Sequence, residues 1–564
     1  MAKKKSTKKR KHPAGLTLAG EPRWMQRPQV VALLLFGFAF LLYANTLTHG
    51  YTQDDAIVIY DNAFTMQGVE GIDELLRYDT FRGFFKVEGK ERLVAGGRYR
   101  PLTPVMFAIG VELFGARPWV GHLGNLIWYG LTCVAVWWLM LTLLSPGNDP
   151  RRSDARARFI ALVGALLFTA HPVHTEVVAN IKGRDEIMSL LGATMAALCV
   201  WRGLRQKGWL WPALAALTFF LGLLSKENAI TFLAVVPLML WYFGGARPMQ
   251  ALRHTLPLLG AAALFLWLRG QVLGWSLGEP PRDLMNNPFL KILEDGSVVP
   301  FTAGERWATI LYTLGEYVRL LVFPHTLTHD YYPRHIPVMT FGDGRVIASL
   351  VLYAALLWWG LRGLRRKEPM SFGVWYYLIT LSIVSNIVFP VGTNMSERFL
   401  FMPSVGFAWV LGWLAWKGAR WQAGGLPTAY RQLYRVWGVT LAILLLYGVR
   451  TVTRNAVWKD NFTLFTHDVA VSPNSAKVRN AAGGALIDEA IKPENEARRE
   501  QMLREAISHL EAAIAIYPYY HNAWLLLGNA YFYLGEYEKA IEQYETALRL
   551  YPDFADGKNN LARA

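Results

Sequence analysis

The sequence predicts an all-α protein, a polytopic bundle of membrane-spanning helices followed by a short array of helical repeats. Three observations predict it. Of the 564 residues, 53% are hydrophobic, and they are gathered into blocks. A bilayer imposes such blocks, because a spanning helix needs about 20 mainly apolar residues. Lys and Arg concentrate in alternate connections between the blocks, which is how charge orients a chain in a membrane. Near the C-terminal end, small and aromatic residues recur at a 34-residue spacing.

The blocks come in order. The first runs through residues 30–47 without a charge. Ten more begin near Trp119, Phe159, Ile187, Trp209, Ala229, Thr255, Ile347, Phe372, Phe399 and Trp437, so about eleven spans are expected within residues 28–452. The tail, residues 1–27, holds Lys3, Lys4, Lys5, Lys8, Lys9, Arg10 and Lys11. Arg151, Arg152, Arg156 and Arg158 follow the second block, and Arg202, Arg205 and Lys207 the fourth. Arg247 and Arg253 follow the sixth, Arg362, Arg365, Arg366 and Lys367 the eighth, and Lys417, Arg420, Arg431 and Arg435 the tenth. All fall on one side if the tail is cytoplasmic. Eleven crossings then put residues 453–564 outside. That side is the periplasm for an inner membrane, which the compact loops suit, and the lumen for the endoplasmic reticulum. Residues 305–323 must not cross, because Glu316 and Arg319 stand mid-helix and a charged pair at bilayer centre is costly. This segment is expected to lie at the outer surface or to re-enter there.

The net charge of +16 reads as orientation bias and attraction to lipid headgroups, with no nucleic-acid partner expected. Cys133 and Cys199 both fall in apolar blocks, so no disulfide framework is expected outside. The first block is too long for a cleavable signal peptide.

The repeats follow. Trp524, Leu527, Gly528 and Tyr531 fit W-x2-L-G-x2-Y on one helix, Gly535 breaks it, and Ala540, Tyr544 and Ala547 line a second helix that Pro552 ends. Pro518 and Pro552 stand 34 residues apart, the tetratricopeptide (TPR) period. Ala506/Ala540, Leu510/Tyr544 and Ala513/Ala547 keep that spacing. An irregular unit is expected at residues 478–490, a half-unit at 458–473 and a capping helix at 554–564. A TPR groove binds peptide or protein and does no chemistry.

The chemistry must come from the outer loops. Loop 48–118 carries Asp54 and Asp55 beside the first span. Two adjacent carboxylates could act as general base and electrostatic partner, or simply form a solvated turn. His171, His174 and Glu176 only loosely match metal-ligand spacing. Polar residues at this depth more often line a wet site. Arg100, Arg184, Lys226 and Arg398 lie in four different outer loops, where the charge bias disfavours them. A lipid-linked phosphate at headgroup level would account for them.

These motifs occur in one order: the Asp-Asp loop; Arg100-Pro101-Leu102-Thr103; Gly121-His122-Leu123-Gly124-Asn125; His171-Pro172-Val173-His174-Thr175-Glu176; Gly183-Arg184-Asp185; Ser225-Lys226-Glu227; and Ser396-Glu397-Arg398-Phe399. The ordered set resembles the transmembrane-and-TPR O-mannosyltransferases and their bacterial relatives, which are similar to GT-C glycosyltransferases. The resemblance implies transfer of a sugar, mannose by family default, from a polyprenyl phosphate to a Ser or Thr hydroxyl of a protein at the outer face, with inversion. It puts catalysis on Asp54 or Asp55, the donor phosphate on Arg100, Arg184, Lys226 and Arg398, and donor or acceptor orientation on His174, Glu176 and Glu227. The TPR groove would receive the polypeptide acceptor. It implies no definite cofactor, and a divalent cation on the Asp pair stays open. Two other readings stand beside this one: a TPR-bearing membrane scaffold, and a flippase for lipid-linked sugar.

Overall fold

A computed structural model describes residues 16–86, 97–275 and 283–564. The basic run from Lys3 to Lys11 lies outside the described residues. Helices of nine residues or more are numbered here. Eleven of them occupy the eleven expected blocks: α1 (Pro28–Tyr43), α3 (Pro118–Leu144), α4 (Ala155–Ala170), α5 (Arg184–Gly203), α6 (Leu210–Ser225), α7 (Phe232–Tyr242), α8 (Pro248–Leu273), α10 (Gly344–Arg366), α11 (Pro369–Ser382), α12 (Ser404–Gln422) and α13 (Tyr434–Val457). Two more lie between them in the chain, α2 (Leu102–Phe114) and α9 (Ala303–Val322). Pro begins α1, α3, α8 and α11, at the one helical position where its missing N–H costs nothing.

Judged by length and composition, five helices among the described residues can cross a bilayer alone. They become six if α4 and the following Pro172–Ala179, bent by 51°, count as one span. The other expected spans form helices that are shorter or less apolar than that. The reason lies at one end of the bundle. There α4 gives way to His171-Pro172, α6 to Lys226 and α11 to a long irregular stretch, so these helices stop short where a polar site begins. Leu445 and Leu446 on α13 are about two-thirds exposed, as a lipid-facing helix requires.

Close approach of helices fixes the site geometry. Gly192 of α5 meets Gly222 of α6, and a Cβ on Gly192 would fall 2.7 Å from the Gly222 Cα. Small residues let helix backbones touch in membranes. This contact brings the start of α5, with Asp185 and Glu186, beside the end of α6, where Lys226 follows.

The two ends of the bundle are distinct. At one end Leu16 pairs with Ala155, Ala19 with Thr428 and Tyr430, and Arg205 with Gly147. These are the connections in which Lys and Arg concentrate. At the other end Gly50 pairs with Lys459, His171 with Leu321, and Asn125 with Asn180.

Helix α9 is amphipathic. Thr302 and Glu305 cap it reciprocally, and its face of Ile310, Leu314, Tyr317 and Leu320 packs with Leu381 and Leu400. Glu316 and Arg319 pair at 2.6 Å on the exposed side, and α9 is not among the membrane-capable helices. One antiparallel hairpin, β1 (Leu290–Ile292) with β2 (Val298–Pro300), departs from the all-α expectation.

The C-terminal array consists of α14 (Asn461–Val471), α15 (Ala476–Ala490), α16 (Arg499–Ile516), α17 (His521–Leu534), α18 (Tyr537–Leu550) and α19 (Ala555–Arg563). Ala506, Leu510, Ala513, Ala540, Tyr544 and Ala547 are all buried. The 34-residue spacing is therefore the spacing of one packed face.

Candidate active site

The site is built from short, irregular segments between the helices. After α1 the chain turns through Thr52 and Gln53 into a one-turn helix, Asp55–Val58. Asp55 is fully buried and faces inward. Its Oδ2 accepts the Thr52 N–H at 2.9 Å and its Oδ1 the Lys182 N–H at 2.8 Å. Burial outweighs these bonds and raises its pKa to about 7.

Asp54 points the other way, with 21% of its side chain exposed. Its Oδ2 lies 3.4 Å from Arg398 Nη1 and 3.7 Å from Lys182 Nζ. Burial acts against ionisation, but Lys182, Arg398 and Arg98 together outweigh it and hold its pKa down at about 2.

Lys182 sits in a turn, Ile181–Gly183, that Asn180 caps by accepting the Lys182 N–H at 3.0 Å. Glycine is required at 183, since a Cβ there would overlap the Val177 carbonyl. Lys182 Nζ also lies 3.4 Å from Asp185 Oδ2, and burial pushes its pKa down to about 8 against the pull of Asp185 and Asp54.

The remaining cations differ in how fully they are engaged. Arg100 forks onto Glu227 with bonds of 2.8 and 2.7 Å and reaches Asp185 at 3.2 Å. Lys226 pairs with Glu186 and lies 3.8 Å from Asp185. Arg398 bridges Asp54 and Glu176, the latter at 3.3 Å, and its N–H donates to Glu176 at 2.9 Å. Arg98 has no ion pair among the described residues. Its guanidinium stands 5.0 Å over the Phe81 ring.

A cleft opens onto these groups. Asp54, Arg98, Arg100, Lys182 and Asp185 line its polar side, and Ile57, Val58, Phe81, Pro104 and Phe107 its apolar side. Its empty volume of about 400 Å³ includes the open solvent at its mouth.

The structure thus brings together Asp54, Arg100, Lys226, Arg398, Glu176 and Glu227. Two expected site residues stand apart. Arg184 stacks 4.5 Å over Phe107 and donates to Asn125 Oδ1 and the Gly121 carbonyl. His174 is buried among Phe168 and Phe401, hydrogen-bonded to Tyr129 at 3.0 Å and Ser404 at 2.9 Å. Both side chains brace the bundle.

Three groups of the site were given no role from the sequence, Arg98, Lys182 and Asp185, although Asp185 stands in the Gly183-Arg184-Asp185 motif. A signal existed for two of them. Lys182 and Asp185 are three apart, across one turn, in an outer loop where charges are disfavoured. Arg98 had none beyond its proximity to Arg100.

The protein side chains alone offer a divalent cation few free oxygens. Among the described residues no three His, Cys, Asp or Glu side chains converge as ligands. Asp54 is already faced by two cations, and Asp55 is occupied by backbone N–H groups. A hard cation takes six or more oxygens, and magnesium can draw most of them from substrate phosphate and water.

Comparison with known proteins adds the lineage. A family model described as Tetratricopeptide repeat matches residues 521–554. Protein O-mannosyl-transferase TMTC3 of Homo sapiens is 26% identical over 563 residues, covering 94% of this chain and 56% of the relative. Protein O-mannosyl-transferase TMTC1 of Homo sapiens is 27% identical over 544 residues, covering 89% and 57%. Protein O-mannosyl-transferase TMTC4 of Mus musculus is 26% identical over 507 residues, covering 82% and 65%. The chain spans just over half the length of the first two. Along nearly its whole length this chain is similar to curated protein O-mannosyl-transferases, and residues 521–554 match the tetratricopeptide repeat.

Proposed function

We propose that the protein is a membrane glycosyltransferase that moves a sugar, mannose by kinship, from a polyprenyl phosphate to a Ser or Thr hydroxyl of a polypeptide. Asp54 is the general base. The observation that carries this reading is the placement of Asp54: an ionised carboxylate facing a cleft, between two cations that can receive a phosphate.

The chemistry follows from the charges. A hydroxyl is a weak nucleophile, so a base must take its proton as the oxygen attacks the anomeric carbon. The bond from that carbon to the phosphate oxygen breaks, and its electron pair leaves with the lipid phosphate. Arg98, Lys182 and Arg398 stabilise that charge. Arg100 and Lys226, already paired with carboxylates, hold Asp185 and Glu227 in place. Displacement from the opposite face inverts the anomeric centre.

Asp54 with a pKa of about 2 is a poor base while Lys182 and Arg398 attend it. A donor phosphate that draws these cations toward itself raises the basicity of Asp54. The donor therefore binds before the proton moves. With the charge carried by side chains, no divalent ion is needed.

The positive-inside bias supports a cytoplasmic tail, and it puts the cleft and the TPR array together on the outer face, in a bacterial inner membrane or its endoplasmic-reticulum equivalent. The test is reconstitution in liposomes with polyprenyl-phosphate mannose and a Ser/Thr peptide, with and without chelator. Inverted mannosyl peptide, formed at a rate the chelator changes by less than about twofold, supports the reading. Lipid flipping without transfer, or neither activity, would overturn it.

A further inference from the structure

We propose that α14, the first helix of the C-terminal array, is a positioning element for the Asp54–Arg398 pair, acting through Asn461. The proposal rests on Asp54 being the base.

Gln53 carries the first observation. Its φ is +48°, in the left-handed region that non-glycine residues enter at a cost. Its N–H donates to Asn461 Oδ1 at 2.8 Å. Three residues earlier, the Gly50 N–H donates to the Lys459 carbonyl at 2.8 Å. The next residue is Asp54, so the backbone angles of Gln53 decide where that carboxylate points.

The other end of the same helix carries the second observation. Asp468 of α14 takes a two-pronged bond from Arg454 at 2.6 and 2.8 Å and accepts the His329 N–H at 2.7 Å. Just past α14, Ser472 bonds Thr328 at 2.8 Å. The Thr328 N–H and the Tyr331 hydroxyl both donate to Glu397 Oε1, at 2.6 and 2.8 Å. Glu397 is buried and immediately precedes Arg398.

One rigid helix of 11 residues, about 16 Å long, therefore reaches the neighbour of Asp54 at one end and the neighbour of Arg398 at the other. The helix sets the separation across which base and cation face each other. Asn461 is not needed to start it, because Asp460 caps it by accepting the Thr463 N–H at 2.7 Å. Its carbonyl oxygen is left to hold the left-handed turn.

The experiment uses the full chain in proteoliposomes, comparing wild type, Asn461→Ala, Gln53→Gly, their double variant and Asp54→Asn. Turnover, donor KM and the unfolding midpoint are read for each. Asn461→Ala is expected to lower kcat per folded molecule about tenfold with KM within about twofold, as misplacement of a reacting group does, beyond what the small fall in midpoint from the lost hydrogen bond accounts for. Glycine adopts the left-handed turn without support, so the double variant should recover to within about threefold of wild type. A kcat for Asn461→Ala within about twofold of wild type overturns the proposal, as does a loss that follows the unfolding midpoint and is not recovered by Gln53→Gly. Asp54→Asn separates the two claims. Full turnover there removes the base reading, and the proposal with it. A dead Asp54→Asn beside an unaffected Asn461→Ala removes the positioning role alone.

Discussion

Asp54 and Asp55 are adjacent in sequence and face opposite ways. The Asp55 carboxylate accepts backbone N–H groups from Thr52 and Lys182 at 2.9 and 2.8 Å, while Asp54 lies 3.4 Å from the Arg398 guanidinium in the cleft. Asp55 therefore fastens the Asp54 loop to the 180s loop. In Asp55→Asn the amide offers one acceptor where the carboxylate offered two. Turned to keep the Thr52 bond, the amide sets its NH2 against the Lys182 N–H, which retains only Asn180 Oδ1 at 3.0 Å, at a cost of about 1 kcal/mol. The expected result in a thermal unfolding assay is a lower midpoint, with turnover per folded molecule reduced far less than in Asp54→Asn.

The same residue gives the protein a pH signature. The pKa of Asp55 is raised from 3.8 to about 7 on folding. Above 3.8 the unfolded chain has lost a proton that the folded chain keeps until about 7. The stability contributed is whole below the unfolded value and is lost as pH rises through the folded one. Unfolding free energy should fall between about pH 5 and pH 7 more steeply in wild type than in Asp55→Asn. Parallel curves for the two proteins would contradict the assignment.

Removing a cation from Asp54 should reveal its titration. Arg398→Gln takes away one of the groups that hold its pKa near 2, and the carboxylate pKa must rise. An acid limb should appear in kcat/KM for the variant at a pH where wild type is still flat. Turnover should fall about 10²–10³-fold from the lost charge stabilisation.

The paired cations behave differently. Glu186 is 1% exposed and its partner is Lys226. Lys226→Met would leave a buried carboxylate uncompensated, at a cost of about 3–5 kcal/mol. Circular dichroism on heating should show that loss. Lys226→Met paired with Glu186→Gln should regain a large part of it.

Much of the architecture was legible in the sequence. Apolar blocks, loop charges and the 34-residue spacing each report one physical constraint: bilayer thickness, membrane orientation and a repeating packed face. The helices at all eleven blocks and the buried Ala506, Leu510, Tyr544 and Ala547 reflect those constraints directly. The lengths of α6, α7 and α11 were less legible, because hydrophobicity does not say where a helix gives way to a polar loop. The sorting of site charges was not legible at all. Whether Arg100 is engaged by Glu227, or Arg184 by Asn125, depends on contacts between loops 59 to 127 residues apart. Arg184 and His174 stood in motifs as conspicuous as that of Asp54, yet their side chains turn into the bundle.

The central claim is that Asp54 takes the acceptor's proton. Its most direct test is single-turnover mannosyl transfer to a Ser/Thr peptide by reconstituted Asp54→Asn and Asp55→Asn, each normalised to folded protein. Asp54→Asn should transfer about 10²–10⁴-fold more slowly than wild type with donor binding retained, the range of general-base catalysis. Transfer by Asp54→Asn at the wild-type rate, or a larger loss in a well-folded Asp55→Asn, would contradict the account.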